Sequence, residues 1–278
     1  MSRRWFGYLA VATVFAIVCV LLANWQLSRK DEKAAEIALV ESNYDRAPVP
    51  LGEVVPTREA FDDVHKWVPV TVTGTYLEEE QLLVRNRPRS GQPGFELLVP
   101  LQLGDGTVFI VDRGWLPTGN EHDLPDVIPS APSGEVTVVA RLKAGEPSLP
   151  GRSAAEGQIA TVNLDDLQER LDVPLYTGAY GLLESETPRP TDEPPLPALK
   201  PVLDEGMHLS YAFQWFIFGI LGFAFLAYAI REEYRHLNAD DPDEQRRAAE
   251  RERKRAAKRS DANVEDELLD GARSETVR

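Results

Sequence analysis

The chain has 278 residues, room for one or two domains, with 45 Asp and Glu against 30 Lys and Arg and a formal charge of −15. Such an acidic balance excludes a general nucleic-acid binder, which needs a basic surface to meet phosphates. One cysteine, Cys19, excludes a disulfide framework and a thiolate zinc site.

The first predicted element is an apolar helix over 5–28, preceded by a four-residue cytoplasmic N-terminus. Its 24 residues, Trp5 to Ser28, carry no charge, and about 20 residues rising ~1.5 Å each cross the hydrocarbon core of a bilayer. Trp5, Tyr8 and Trp25 lie near its ends, where amphipathic rings favour the interface. Arg3 and Arg4 resemble the start of a cleaved signal peptide. The run is too long for an h-region, however, and no Ala-x-Ala site closes it, so an uncleaved anchor is expected. Cys19, inside the run, reads as a small apolar residue.

Residues 29–205 are expected to form an extracytoplasmic, mainly β domain. Asp31–Tyr44 is rich in Lys, Glu and Ala, with Ala34, Ile37, Ala38 and Val40 at helical spacing, and should prolong the first helix until Pro48 and Pro50 stop it. From Trp67 to Tyr76 the period changes to two, with Val68, Val70 and Val72 alternating against Thr71 and Thr73. Further strands are predicted over 81–86, 95–101, 107–112 and 135–142, with weaker candidates at 159–163 and 175–183. Gly91-Gln-Pro-Gly94 and Gly104-Asp-Gly106 supply turn chemistry. Residues 163–171 read as a short helix capped by Asn163. Short, closely spaced strands predict an antiparallel sheet, curled or closed like a barrel, with short helices. Pro188–Pro201 reads as an extended connector.

The second span is predicted over 206–230, where 25 residues, Gly206 to Ile230, contain no Asp, Glu, Lys or Arg. Arg231 and Arg235 follow it and Asp204-Glu205 precede it, so the positive-inside rule puts both termini in the cytoplasm. Arg29, Lys30 and Lys33 at the outer end of the first span oppose this, partly offset by Asp31 and Glu32. The tail, 231–278, mixes charges of both signs, includes Arg246, Lys254, Lys258 and Arg259, and is expected to be disordered or loosely helical.

No Gly-x-Ser-x-Gly, His-Glu-x-x-His or phosphate loop occurs, so no catalytic residue is assigned and the chain reads as a non-enzyme. The acidic pairs Asp62-Asp63 and Asp165-Asp166 read as solvated faces. His208, at the mouth of the second span, shares a helical face with Tyr211 and Trp215, and Gln214 lies near it. A neutral imidazole there can ligate a haem iron with aromatics packed on the macrocycle. It can equally be an interfacial histidine bonded to headgroups or to the β domain. Asp112-Arg-Gly-Trp115 closes one predicted strand and Arg85-Asn-Arg87 lies on another. There Arg113 reads as the partner of a carboxylate and Gly114 as a tight turn.

Several segments, in order, resemble the surfeit locus protein 1 family. They are Asn24-Trp-Gln-Leu-Ser-Arg29, Val70-Thr-Val-Thr-Gly-Thr-Tyr76, Leu83-Val-Arg-Asn-Arg87, Gly94-Phe-Glu-Leu-Leu-Val-Pro100, Ile110-Val-Asp-Arg-Gly-Trp-Leu-Pro117 and His208-Leu-Ser-Tyr-Ala-Phe-Gln-Trp215. The resemblance covers about residues 5 to 230 and both spans. It implies an assembly factor for haem-copper (aa3-type) cytochrome c oxidase that holds or delivers haem a to the catalytic subunit, with that subunit and the haem a synthesis machinery as partners. A membrane scaffold that binds oxidase subunits without haem is the alternative. The family's proposed haem ligand falls on His208, and Trp25, Gln26 and Arg29 match its first-span motif. Arg29 is expected to meet the haem carboxylates by charge-assisted hydrogen bonds. Asn86, Arg87, Arg113, Gly114 and Trp115 match β-domain motifs, with structural or partner-binding roles expected. With no presequence before the first span, a bacterial plasma membrane is the expected home.

Overall fold

The computed structural model describes residues 3–120, 123–149, 151–152 and 155–256. The chain divides into two compact units, Met1–Lys30 with Met207–Arg278, and Asp31–Gly206.

Asp31–Gly206 is built on eight strands: β1 (Val49–Pro50), β2 (Pro69–Tyr76), β3 (Leu82–Val84), β4 (Gly94–Leu103), β5 (Val108–Pro117), β6 (Glu135–Ala144), β7 (Gln158–Ile159) and β8 (Ala179–Thr187). Strands β2, β6, β8, β5 and β4 pair in that order, and β4 pairs back onto β2, so five strands close into a barrel. Closure removes the unpaired edges that an open sheet would expose. At the closing corner a Cβ on Gly74 would stand 2.4 Å from the carbonyl oxygen of Gln102, so only glycine lets the two strands meet.

The period-two pattern puts Val70, Val72, Leu97, Val99, Phe109, Val111, Val136 and Val138 in one core. Burying each such side chain contributes roughly 1.5–3 kcal/mol. The other faces of β4 and β5 are covered too, by Val40, Trp67, Leu164 and Leu167 packed on Leu98, Val108 and Ile110. Two buried faces explain why β5 opens on the continuous apolar run Val108-Phe-Ile-Val111 and not on an alternation. Leu164 and Leu167 come from helix α3 (Leu164–Leu171), which Asn163 caps by accepting from Asp166 N at 2.9 Å. Helix α2 (Leu51–Val54) is one turn that buries Leu51.

The sheet is mixed where an antiparallel one was expected. β1–β2 and β3–β7 pair in parallel, and so do β5 and β8, because the chain between those two crosses over and returns in the same direction. β5 also runs on to Pro117, so Asp112-Arg-Gly-Trp115 lies within the strand and not at its end. Residues 85–87 fall just past β3 instead of on it. The connector after Thr187 is docked: Trp115 N donates to Leu196 O at 2.7 Å and Leu196 N to Trp115 O at 2.9 Å.

Helix α1 (Arg3–Asn43) covers 41 residues, and at ~1.5 Å per residue is about 60 Å long. Its last turns belong to the β unit, where Val40 is buried and Asn43 Nδ2 donates to Val64 O and Lys66 O at 2.8 and 2.9 Å. Helix α4 runs His208–Leu237. Both are long and apolar enough to cross a membrane. Residues 242–256 of the charged tail are helical, while 257–278, with Lys258 and Arg259, lie outside the described residues.

Candidate functional site

Within the helix unit, the two apolar helices meet along one seam. On α1 the less exposed positions recur at Ala12, Ala16, Cys19, Ala23 and Gln26; on α4 they recur at His208, Ala212, Trp215, Gly219 and Gly222. Alternating steps of three and four keep each set on one face of its helix. Most of these residues are small, so the backbones approach closely. A Cβ on Gly219 would sit 3.6 Å from that of Cys19. Cys19, Ala23 and Ala212 are almost fully buried, although the surrounding helix surfaces are not. The helices are antiparallel, with Arg4 paired to Glu233 at one end and Gln26 joined to His208 at the other.

The Gln26–His208 contact is the chemical feature of this seam. Nδ1 of His208 lies 2.9 Å from Oε1 of Gln26, and both residues are partly buried. An amide oxygen only accepts, so Nδ1 carries the hydrogen, and in the neutral ring Nε2 keeps its lone pair. Metal-bound histidines are commonly held this way, one ring nitrogen donating to a protein acceptor while the other faces the metal. Held this way, the imidazole of His208 would offer Nε2 to an iron such as that of haem. Trp215 stands two turns along the seam from His208 and packs edge-on against Phe218 at 5.8 Å. Tyr211, Gln214, Trp25 and Arg29 lie off the seam on exposed surfaces. Of the seven positions expected here, the structure joins His208 to Gln26 directly and keeps Trp215 on the same stripe.

In the β unit the register slips between Leu97 and Leu98, which pair with Gly114 and Asp112 and leave Arg113 as a bulge. The Arg113 side chain is fully buried. Nη2 donates to Glu186 Oε1 at 2.8 Å, Nη1 donates to Pro129 O at 3.2 Å, and Tyr76 donates to the other Glu186 oxygen at 2.7 Å. Arg113 thus has the carboxylate partner expected of it. Glu186 and Tyr76 were not legible as its partners, because they come from β8 and β2 and share no local motif. Gly114 has φ 131°, and a Cβ there would stand 2.5 Å from Leu196 O, so a glycine is what lets the connector dock.

Asn86, in the left-handed region at φ 59°, leads into Arg87. Arg87 Nε lies 3.0 Å from Glu96 Oε2, its Nη2 bonds Glu146, and its carbonyl accepts from Trp115 Nε1 at 2.6 Å. Asn86, Arg87, Glu96 and Trp115 line a cleft of about 330 Å³ with Trp67, Asp112 and Lys143. Burial, and then the charge of Glu96, push the carboxyl of Asp112 well above its usual range. For Glu146 burial alone would do the same, but the Arg87 bond and the Val162 N–H outweigh it and hold this carboxylate low. The ion pairs of Arg87 thus tie this end of the barrel, Trp115 joins them through the Arg87 carbonyl, and Asn86 lines the cleft beside them.

A closed five-stranded barrel that falls between two long apolar helices in sequence, with a hydrogen-bonded histidine at the start of the second, defines the class. Residues 13–220 match the SURF1 family, and the chain belongs to it, as the ordered motifs implied. Uncharacterised SURF1-like proteins of Mycobacterium bovis and Mycobacterium tuberculosis are each 34% identical to it over 248 residues, 85% of this chain and 89% of theirs. A SURF1-like protein of Rickettsia bellii is 24% identical over 208 residues, 72% of this chain and 81% of its own. The cytochrome oxidase assembly protein SHY1 of Saccharomyces cerevisiae is 30% identical over 113 residues, 40% of this chain and 28% of its own.

Proposed function

We propose that this protein is a non-enzymatic, membrane-anchored assembly factor for an aa3-type cytochrome c oxidase, and that it holds haem a through His208 for delivery to the catalytic subunit. Membership of the SURF1 family, and a yeast relative named as a cytochrome oxidase assembly protein, support the assembly role. The observation that carries the haem reading is the Gln26–His208 bond, which presents Nε2 as a ligand atom where two helices meet.

The apolar stretches of α1 and α4 expose their large side chains, as lipid-facing helices do, which supports two spans over 5–28 and 206–230. The basic residues after the second span support cytoplasmic termini and a β domain on the outer side of a bacterial cell membrane. Haem a is cargo here, and its iron supplies the coordination chemistry. The chain's own contribution is to orient an imidazole and to offer Trp215, and Tyr211 on the adjoining surface, as flat apolar neighbours. Arg29, one turn beyond Gln26 on α1, is the cation proposed to meet the haem carboxylates.

The test is to purify the full chain from cells that make haem a and record a pyridine haemochrome spectrum beside a His208→Ala sample. Haem near one equivalent in the wild type, lost in the variant, is the expected result. Haem absent from both samples would instead favour a scaffold that binds oxidase subunits without it.

A further inference from the structure

We infer that Gln26 is a positioning residue that selects the ligating atom of His208 and tunes its donor strength, so that the ligand is built jointly by the two helices. The inference rests on the reading of His208 as a haem ligand and adds the residue that orients it. Without an acceptor at Nδ1, the ring can rotate or place its hydrogen on Nε2, and either change removes the lone pair from the ligating position. The Gln26 oxygen at 2.9 Å blocks both.

The surroundings show why this acceptor comes from α1. The four residues before His208 include two carboxylates, Asp204, whose Oδ1 accepts from Gly206 N at 2.8 Å, and Glu205. Yet the side chain bonded to Nδ1 is that of Gln26, which is the seam position of α1 beside His208 that carries an oxygen. Ala23 and Ala212, the adjoining seam positions, are buried and small, so the helices stay close enough for the Gln26 side chain to span the gap. Seam packing and ligand orientation are thus one arrangement. An acceptor bonded to the far ring nitrogen raises the basicity of a ligating imidazole, and loss of such a partner typically costs about 10- to 100-fold in metal affinity.

The experiment uses the full chain in detergent with haemin as probe, and compares wild type, Gln26→Leu, Gln26→Glu and His208→Ala by haemin titration and by the reduction potential of the bound haem. Gln26→Leu is expected to weaken haemin binding roughly 10- to 100-fold. Gln26→Glu, nearly isosteric and a stronger acceptor, is expected to retain binding and lower the potential, a change that a purely structural glutamine would not produce. Wild-type affinity in Gln26→Leu, or an unchanged potential in Gln26→Glu, overturns the role of Gln26 while His208→Ala still loses haemin. Wild-type affinity in His208→Ala overturns the ligand reading itself, and the Gln26 assignment with it.

Discussion

The helix unit leaves Phe213, Ile220 and Phe225 at 61, 68 and 73% exposure, whereas the β unit buries Phe109, Val111 and even the guanidinium of Arg113. In the first, most side chains on the seam are small and large ones face away; in the second, the large side chains point inward. Contiguous apolar surface of this extent is rare on a soluble domain, and both helices are long and apolar enough to cross a membrane. The proposed spans resolve the contrast. In lipid, apolar burial no longer drives association, and close backbone packing with a few polar contacts takes over. A polar pair such as Gln26–His208 then stands out chemically, while the polar pair Arg113–Glu186 in the barrel is a structural tie.

Three substitutions sharpen that contrast, in falling order of effect. Arg113→Ala removes one partner of a buried ion pair and leaves Glu186 with an uncompensated charge, which should destabilise the β unit by about 3–5 kcal/mol. Chemical denaturation of the full chain, followed by tryptophan fluorescence, reads this out. A loss below ~1 kcal/mol would mean that the pair is not a tie. In the helix unit the size rule inverts. Gly219→Leu, pressing on Cys19 across the seam, should cost about 1–3 kcal/mol by overpacking. Ile220→Ala, one residue along but facing away, should leave stability in detergent nearly unchanged. Equal effects of the two would break the seam description.

The smallest effect is one of pH. The folded carboxyl of Asp112 titrates above its unfolded value of about 3.9. Between those two values the native state holds more protons than the unfolded state, so stability falls as pH rises. Asp112→Asn cannot ionise and keeps an oxygen to accept from Gly114 N, which Asp112 does at 2.9 Å. The variant should therefore gain on the wild type in melting temperature as pH rises from about 4 towards neutrality. A gap that stays constant across this range would count against a buried, protonated Asp112. Glu96 is pushed up by burial as well, so part of the slope should persist in the variant.

Much of this architecture was legible in the sequence because it depends on local rules. Two uncharged runs longer than 20 residues, a switch from helical to alternating periodicity near Trp67, and Asn163 before a short helix each act within a few residues. His208 and Gln26 were both legible as motif positions, and Arg113 was legible as a cation in need of a carboxylate. The strand boundaries near Asp112 were not, because the bulge opposite Leu97 and Leu98 is a property of the pair of strands and not of either one. Nor was the Pro-rich connector legible as a docked segment, since its place on Trp115 depends on Gly114 lacking a side chain.

By itself, then, the sequence determined the kinds of element, their order, the family and the charge asymmetry about the second span, all of which arise from composition and near-neighbour spacing. Only the tertiary structure decided who meets whom. It closed the barrel through β2 and β4, gave Arg113 the carboxylate of Glu186, 73 residues away, and set Gln26 against His208 across 182 residues of chain. The physical reason is the same in each case. A hydrogen bond or ion pair needs its atoms within about 3 Å, and distances on that scale between remote residues are fixed by packing.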